Sequence, residues 1–524
     1  MQLIELLEKA SRMYPKKVGI RCYEADFTYR ETYERVLRLA SHFLEKGIKE
    51  GSNVGIISYN CHVFLEAYFA TALLGAALVP INYRLSPSEI AFILEDSETC
   101  FLISHMDFKD KLSQWSKVRE GKVPLLWVGA SDQVETGQNY EEVLRLQKPV
   151  KDIPHGAGDD NTAQIYYTSG TTGRPKGVML SHKNCWVHAL SAVAELKLTD
   201  EDVWIHVAPM FHLADAWATW AITWVGGTHV MVKQFDPITV LKTMQEKNVT
   251  ITNMIPTMLN LLVKHPEFHT FSFPRLRVML SGGAPIAPEV VKQIMDGFGC
   301  DYIQTYGMTE TSPYLTVSIL KDHLKKLPSD EQFKYKAKTG REFICVSLRV
   351  VREDGTDVEP NDSEVGEIIV KGDSVTKGYW KLPEETQKAF KNGWLYTGDL
   401  AVMDKEGYVN IVDRKKDMII TGGENVYSTE VENVLYQHPK ILEAAVFGIP
   451  HEKWGEAVHA AVVLKQGERA TEEEIIAFCK ERLAHYKAPK GITFLTELPR
   501  TGSGKIYKKG LRDQFWKGMD KQVA

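Results

Sequence analysis

Short apolar runs alternate with longer segments whose apolar positions recur at helical spacing through most of the amino-terminal part of the chain. The first pattern is that of a buried strand and the second that of a helix with one face in a core. It predicts strands at 54–58, 77–81, 101–103 and 125–128, a helix at 64–74, and a further helix opening at Ser86-Pro87-Ser88-Glu89. Such alternation argues for α/β units on a largely parallel sheet. The longest apolar stretch, 67–80, follows Glu66 and is too short to span a bilayer. It reads as a buried helix followed by a strand. Trp217, Trp220 and Trp224 fall at i, i+3 and i+7 on one helical face, a stripe that core packing explains.

Polar and charged stretches divide the chain. Residues 149–162 form a Gly- and Pro-rich connector, and the charged segment 321–338 reads as a surface excursion. The sharpest break is the run Asp413-Arg414-Lys415-Lys416-Asp417, after which a new apolar run opens at Met418. Beyond it the pattern predicts a strand, a Gly-Gly loop, a helix at 429–437, strands at 444–448 and 457–464, a helix at 472–483 and a strand at 493–495. The expected architecture is therefore α/β: a large multi-sheet domain over residues 1–413, a hinge at 414–416, and a small mobile α+β domain over 417–524.

Composition narrows the classes. With 524 residues, 44% apolar and 25% charged, the chain is too long for one core and ordinary for a globular enzyme. A net charge of −5 provides no basic field for nucleic acid. Seven scattered cysteines without a CxxC pair argue against a zinc site or a disulfide framework and fit a reducing compartment. The amino terminus carries acids where a secretory signal needs basic residues, and the last four residues, Lys-Gln-Val-Ala, are not a peroxisomal address. The expectation is a cytoplasmic enzyme with no transmembrane segment. Peripheral membrane contact and the choice between monomer and homodimer stay open.

The chemistry concentrates in a few motifs. Thr168, Ser169, Gly170, Thr171, Thr172 and Gly173 precede Arg174-Pro175-Lys176-Gly177, between two apolar runs. The glycines bring backbone N–H groups close to an anion, the hydroxyls add donors, and Lys176 adds a point charge, so the loop suits a polyphosphate. It is not the common P-loop, because no Gly-Lys-Ser/Thr ends it. Ser281-Gly282-Gly283-Ala284-Pro285 follows an apolar strand, at the sheet edge where open α/β folds bind ligands. In Tyr306-Gly307-Met308-Thr309-Glu310, the tyrosine can stack on a purine, Thr309 can bond a phosphate oxygen and Glu310 can hold Mg²⁺. Asp399, after a Thr-Gly turn, can accept both ribose hydroxyls. Gly502 and Gly504 flank a segment that can deliver Lys505 to a site.

These motifs, in this order, resemble the adenylate-forming superfamily of acyl-CoA synthetases, luciferases and adenylation domains, over about residues 10–515. The wording is most similar to fatty-acid-type acyl-CoA ligases. The resemblance implies that the loop from Thr168 to Lys176 holds ATP phosphates and that Gly283, Ala284, Pro285, Tyr306, Gly307 and Met308 surround the nucleotide. It implies that Arg414 contacts ATP, Lys416 is the hinge, and Lys505, Glu310 and Thr309 act in catalysis with Glu310 on Mg²⁺. His212 and Gly282 would face the acyl group. The absence of a carboxylate at His212 disfavours an amino-acid substrate, and rings of the tryptophan stripe, if they reached that pocket, would shorten it. Gly422 and Gly423 would line the CoA channel with Tyr486 and Lys490, although Ala488 departs from the arginine of some relatives. Lys377-Gly378-Tyr379-Trp380 reads as mainly structural.

The resulting expectation is an ATP-dependent, Mg²⁺-requiring carboxylate–CoA ligase that forms acyl-AMP and then acyl-CoA, with ATP, CoA and a fatty or other small organic acid as its partners. The competing readings are an acyl-AMP ligase serving a carrier protein, a luciferase-like oxygenase, and a non-catalytic binding protein on the same fold.

Overall fold

The computed structural model describes residues 1–23, 25–112, 115–129, 137–151, 158–168, 175–500 and 506–517. The chain divides into two compact units, Met1–Leu348 with Val370–Leu395, and Arg349–Ile369 with Tyr396–Ala524.

Two sheets organise the first unit. One runs in the order Gln138–Asn139, Leu125–Val128, Phe101–His105, Asn53–Ile57, Ala77–Pro80, Thr162–Thr168, Lys176–Ser181. It is parallel up to its last pair, which is antiparallel. The strands expected at 54–58, 77–81, 101–103 and 125–128 all lie in it. The helix His62–Leu74 is apolar on every side, and every residue from Val63 to Leu74 is buried. Within it Glu66 is fully buried, so its charge needs partners: Arg35 lies 2.6 Å away and the Tyr140 hydroxyl donates at 2.6 Å. The helices Tyr29–Glu45, Pro87–Asp96 and His182–Leu196 open with reciprocal capping boxes, Thr28/Glu31, Ser86/Glu89 and Ser181/Asn184.

In the second sheet, strands Asp301–Gly307, Val278–Gly282, Ile251–Asn253, Val203–His206, Thr228–Met231 and Val18–Cys22 run parallel in that spatial order. Tyr314–Val317 continues it antiparallel beside Asp301–Gly307. Leu241, Leu259, Met279, Ile294 and Tyr302 belong to the core behind it. The tryptophan stripe packs inside: Trp217 meets the rings of Trp204, His188 and Tyr314 at 5.1–5.5 Å, and Trp220 meets Tyr68 and Phe69. Trp224 is half-buried. The segment 321–338 corrects the expectation of an irregular excursion. It forms the helix Ser329–Ala337, and Lys336 is only 6% exposed. The Lys336 ammonium donates to Asp301 and to the Tyr302 carbonyl, which is how so charged a segment is held against the sheet.

The second unit contains the hairpin that pairs Asp399–Met403 with Val409–Arg414. Its other sheet runs Glu424–Val426, Ile419–Thr421, Gly455–Leu464, Ile441–His451, with Gly491–Phe494 parallel to Gly455–Leu464. Helices Ser428–Tyr436 and Glu472–Lys480 close an apolar core that includes Val431, Val446, Val458 and Ile475. This is the expected α+β succession. Asp413, where the charge run predicts a boundary, lies inside the unit. Its buried carboxylate accepts from the Ser428 N–H at 2.5 Å and hydroxyl at 3.0 Å, and Thr429 donates to the Val412 carbonyl.

All seven cysteines are unpaired; five are buried, Cys345 is half-buried and Cys100 is exposed. Burial pushes the Cys300 thiol up to about 12 and the Cys479 thiol up to about 11.

Candidate nucleotide and acyl site

Antiparallel pairing sets Thr168 opposite Lys176, so both ends of the glycine-rich loop are fixed by a sheet. Ser169, Gly170, Thr171, Thr172 and Gly173 lie outside the described residues. The Lys176 side chain is 13% exposed and ion-paired with Glu385. Its ammonium also stands 5.4 Å from the centre of the Tyr379 ring.

A second segment brings Tyr379 there. The Met179 N–H donates to the Gly378 carbonyl at 3.1 Å, and the Trp380 N–H to the Gly177 carbonyl at 2.7 Å. The Thr376 hydroxyl donates to the Met179 carbonyl, and the Tyr379 N–H to the Thr386 hydroxyl at 3.0 Å. Residues 376–380 are thus zipped along the strand that leaves the loop. The Tyr379 hydroxyl then donates to Glu310 Oε1 at 3.0 Å, and the Thr376 N–H to the Glu310 carbonyl at 2.7 Å. Tyr379 and Glu385 are the residues that sequence reasoning missed. Their one signal is an acidic helix start, Pro383-Glu384-Glu385-Thr386, soon after a glycine turn.

Glu310 and Thr309 share a short turn at the end of Asp301–Gly307, and Glu310 is 8% exposed. A Cβ on Gly307 would lie 1.8 Å from the Pro313 carbonyl oxygen, so no larger residue fits beneath Met308. Tyr306 is half-buried. Gly283, Ala284 and Pro285 form an exposed turn, and the Gln304 amide donates to the Ala284 carbonyl at 2.8 Å. The 283–285 turn and the 306–310 segment thus lie at the carboxyl ends of two neighbouring parallel strands. The donor chemistry fits Mg²⁺: a carboxylate beside hydroxyls is a hard oxygen set, and Mg²⁺ takes one or two carboxylates together with phosphates and water. Among the described residues no three or more His, Cys, Asp or Glu side chains gather into a metal cage.

His212 lies in the turn after Val203–His206, as the residue preceding the helix Leu213–Ala216. The buried Asn60 amide fixes that turn, donating to the His206 and Ala208 carbonyls at 3.1 and 2.9 Å and accepting from the Met210 N–H at 2.8 Å. Behind it a wholly buried chain links Asp215, His206, His229 and Thr223 at 2.5–3.0 Å. Burial drives the His229 ring well below its ordinary pKa. Gly282 lies against Thr305 on the neighbouring strand.

In the second unit Asp399 and Arg414 face each other across the hairpin, with Arg414 Nε 3.3 Å from Asp399 Oδ1. The Asp399 side chain is 10% exposed and that of Arg414 51%. Lys416 is exposed at the surface, and its ammonium is pushed down by the protein packed around it and by Arg414. Gly422 and Gly423 form a two-residue hairpin loop with positive φ at both positions, the turn such a loop needs. Tyr486 is exposed, and the Lys490 ammonium donates to the His485 carbonyl at 2.8 Å. Lys505 lies outside the described residues.

Comparison with known proteins bears on the family. The AMP-binding enzyme model matches residues 7–380, and the AMP-binding enzyme C-terminal domain model matches 430–505. Feruloyl-CoA synthase of an Amycolatopsis species is 35% identical, over 97% of this chain and 98% of that protein. 4-Hydroxybutyrate–CoA ligase 2 of Metallosphaera sedula is 34% identical, over 97% and 93%. Among solved structures, O-succinylbenzoate coenzyme A synthetase of Bacillus subtilis in complex with ATP and magnesium superposes with a TM-score of 0.83 at 31% identity, over 97% of this chain and 98% of that one. The chain belongs to the AMP-binding enzyme family of adenylate-forming proteins.

Proposed function

We infer that this protein is an AMP-forming carboxylate–CoA ligase acting on a small organic acid. The observation that carries the reading is the meeting at Tyr379 of the phosphate-loop cation Lys176 and the oxygen-donor residue Glu310. A polyphosphate and its divalent counter-ion need that pair of charges side by side. The names of the relatives, a CoA synthase, a CoA ligase and a CoA synthetase in complex with ATP and magnesium, support the same chemistry.

In the first half-reaction a carboxylate oxygen attacks the α-phosphorus, the bond to the β-phosphate oxygen breaks, and pyrophosphate leaves. Lys176 and the loop from Thr168 hold the β- and γ-phosphates, and Asp399 and Arg414 hold the ribose and phosphate side of the nucleotide. Tyr306 and the 283–285 turn hold the base. Glu310 would hold Mg²⁺, which when bound would offset the negative charge of the phosphates. Lys505 supplies a cation where charge develops. In the second half-reaction residues 417–524 turn about Lys416, and the Gly422–Gly423 loop with Tyr486 and Lys490 receives CoA. The CoA sulfur attacks the acyl carbon, the bond to AMP breaks, and the thiol proton is released. A thiol of pKa about 8.5 has enough thiolate at neutral pH for this. His212 and Gly282 face the acyl group. We place the enzyme in the cytoplasm on its scattered unpaired cysteines; no helix among the described residues is long and apolar enough to cross a membrane.

The test is pyrophosphate release across acids from acetate to palmitate, with hydroxy acids and benzoates, each with and without CoA. CoA-dependent turnover ending in a thioester is the expected result. Acyl-AMP without thioester would move the second step to another acceptor, such as a carrier protein.

A further inference from the structure

Glu385 holds Lys176 through one carboxylate oxygen and Lys388 through the other, at 2.9 Å. These two lysines draw the Glu385 carboxyl down to about 2, so it is a firm anion at any working pH. A carboxylate on the phosphate-loop lysine offers it the kind of anionic oxygen that a phosphate would bring. Lys388 gives that carboxylate a remaining partner once Lys176 is taken, so the exchange leaves no bare charge. Six residues earlier, the same turn sends the Tyr379 hydroxyl to Glu310 and its ring face to Lys176. Tyr379 is anchored by its own backbone, through the Thr386 hydroxyl and the isolated bridge to Val178, and so cannot drift with the groups it holds.

We propose that residues 379–385 are the positioning element of the nucleotide site: Tyr379 orients the Glu310 carboxylate, and Glu385 is the counter-ion that the ATP phosphates displace from Lys176. Neither residue needs to touch the reacting atoms. The proposal rests on the ligase reading, which places ATP at Lys176 and Mg²⁺ at Glu310. Glu385 keeps Lys176 extended and ordered before ATP arrives, at the cost of competing with it. Tyr379 sets the direction of the Glu310 carboxylate by a fixed hydrogen bond to one of its oxygens, as an outer partner does for a metal-binding group.

The experiment is isothermal titration of the full-length protein with ATP alone, without acid, across a series of Mg²⁺ concentrations. Wild type, Tyr379→Phe and Glu385→Gln are compared, with thermal melts of each as a check on folding. ATP binding by the wild type that tightens with Mg²⁺ is the premise; its absence overturns the ligase reading and this proposal together. Tyr379→Phe, which keeps the ring under Lys176, is expected to raise the Mg²⁺ concentration for half-maximal tightening by about 10-fold, the scale for losing a hydrogen bond to a charged group. Glu385→Gln is expected to tighten ATP about 3-fold at every Mg²⁺ level, the scale for removing one partly exposed charge pair. A wild-type Mg²⁺ midpoint in Tyr379→Phe, or unchanged or weaker ATP binding in Glu385→Gln, would overturn the proposal while leaving the ligase reading intact. If Tyr379→Phe fails to fold, the partly exposed Glu385→Gln still decides the competition.

Discussion

Lys176, Glu310 and Asp399 each sit where a backbone feature demands little else: the end of a hairpin, a turn above a glycine that has no room for a Cβ, and a hairpin rung opposite an arginine. At this scale the motifs were legible, because a phosphate site selects residue types at fixed spacing. What the sequence hid is the partner that each side chain meets across the fold. Glu385 lies 209 positions from Lys176, and Tyr379 lies 69 from Glu310. No local pattern joins them, and so the Lys377–Trp380 block read as scaffolding. The residue-scale prediction concerns Lys505. Lys505→Ala should slow acyl-AMP formation by roughly 10²–10³-fold, the range for one electrostatic group aimed at a transition state, with ATP binding little altered. Single-turnover measurement of pyrophosphate release decides it. A near-normal rate would remove Lys505 from the chemistry.

Among the elements, the apolar runs located Asn53–Ile57, Ala77–Pro80 and Phe101–His105 because both faces of each are buried, and Gly455–Leu464 in the small α+β region for the same reason, while the helices Ser428–Tyr436 and Glu472–Lys480 showed through the one face each buries. Segment 321–338 was misread because its charges hide a helix whose Lys336 snorkels to Asp301. The tryptophan stripe resolved toward packing, since Trp217 and Trp220 spend their faces on other aromatic rings. The region around Lys416 is the element with a mechanical role in the proposed cycle. Its carbonyl accepts from Arg512 at 3.3 Å, and Asp413 just before it is stitched to Ser428. Lys416→Pro fixes φ and should leave pyrophosphate release within about 3-fold while slowing thioester formation at least 10-fold. Assaying the halves separately, the first with CoA omitted and the second from preformed acyl-AMP, shows the split; equal loss in both would refute the hinge.

For the whole molecule, buried neutral histidines make acid a threat to the fold. Burial takes His182 down to about 4 and His188 down to about 3, against about 6.5 for an exposed imidazole. Above pH 6.5 each is neutral whether folded or unfolded and contributes nothing to the pH dependence. Below it the unfolded chain binds a proton that the folded chain refuses, so stability falls as pH drops from 6.5 toward 4. Each histidine should add about 1.4 kcal/mol per pH unit to that slope. Urea melts between pH 7 and pH 4.5 should show the decline, and His188→Gln should make it shallower. A slope unchanged in the variant would mean that the ring titrates normally.

An acyl adenylate is an acylating agent, and an enzyme that makes one exposes its own nucleophiles to it. Here the burial of the thiols acts as self-protection. A sulfur kept out of solvent and held protonated cannot compete with CoA for the activated acyl group. Intact-protein mass spectrometry after prolonged turnover without CoA should therefore find cysteine adducts confined to the exposed Cys100, and adducts on Cys22, Cys185 or Cys300 would show that the fold opens during the cycle.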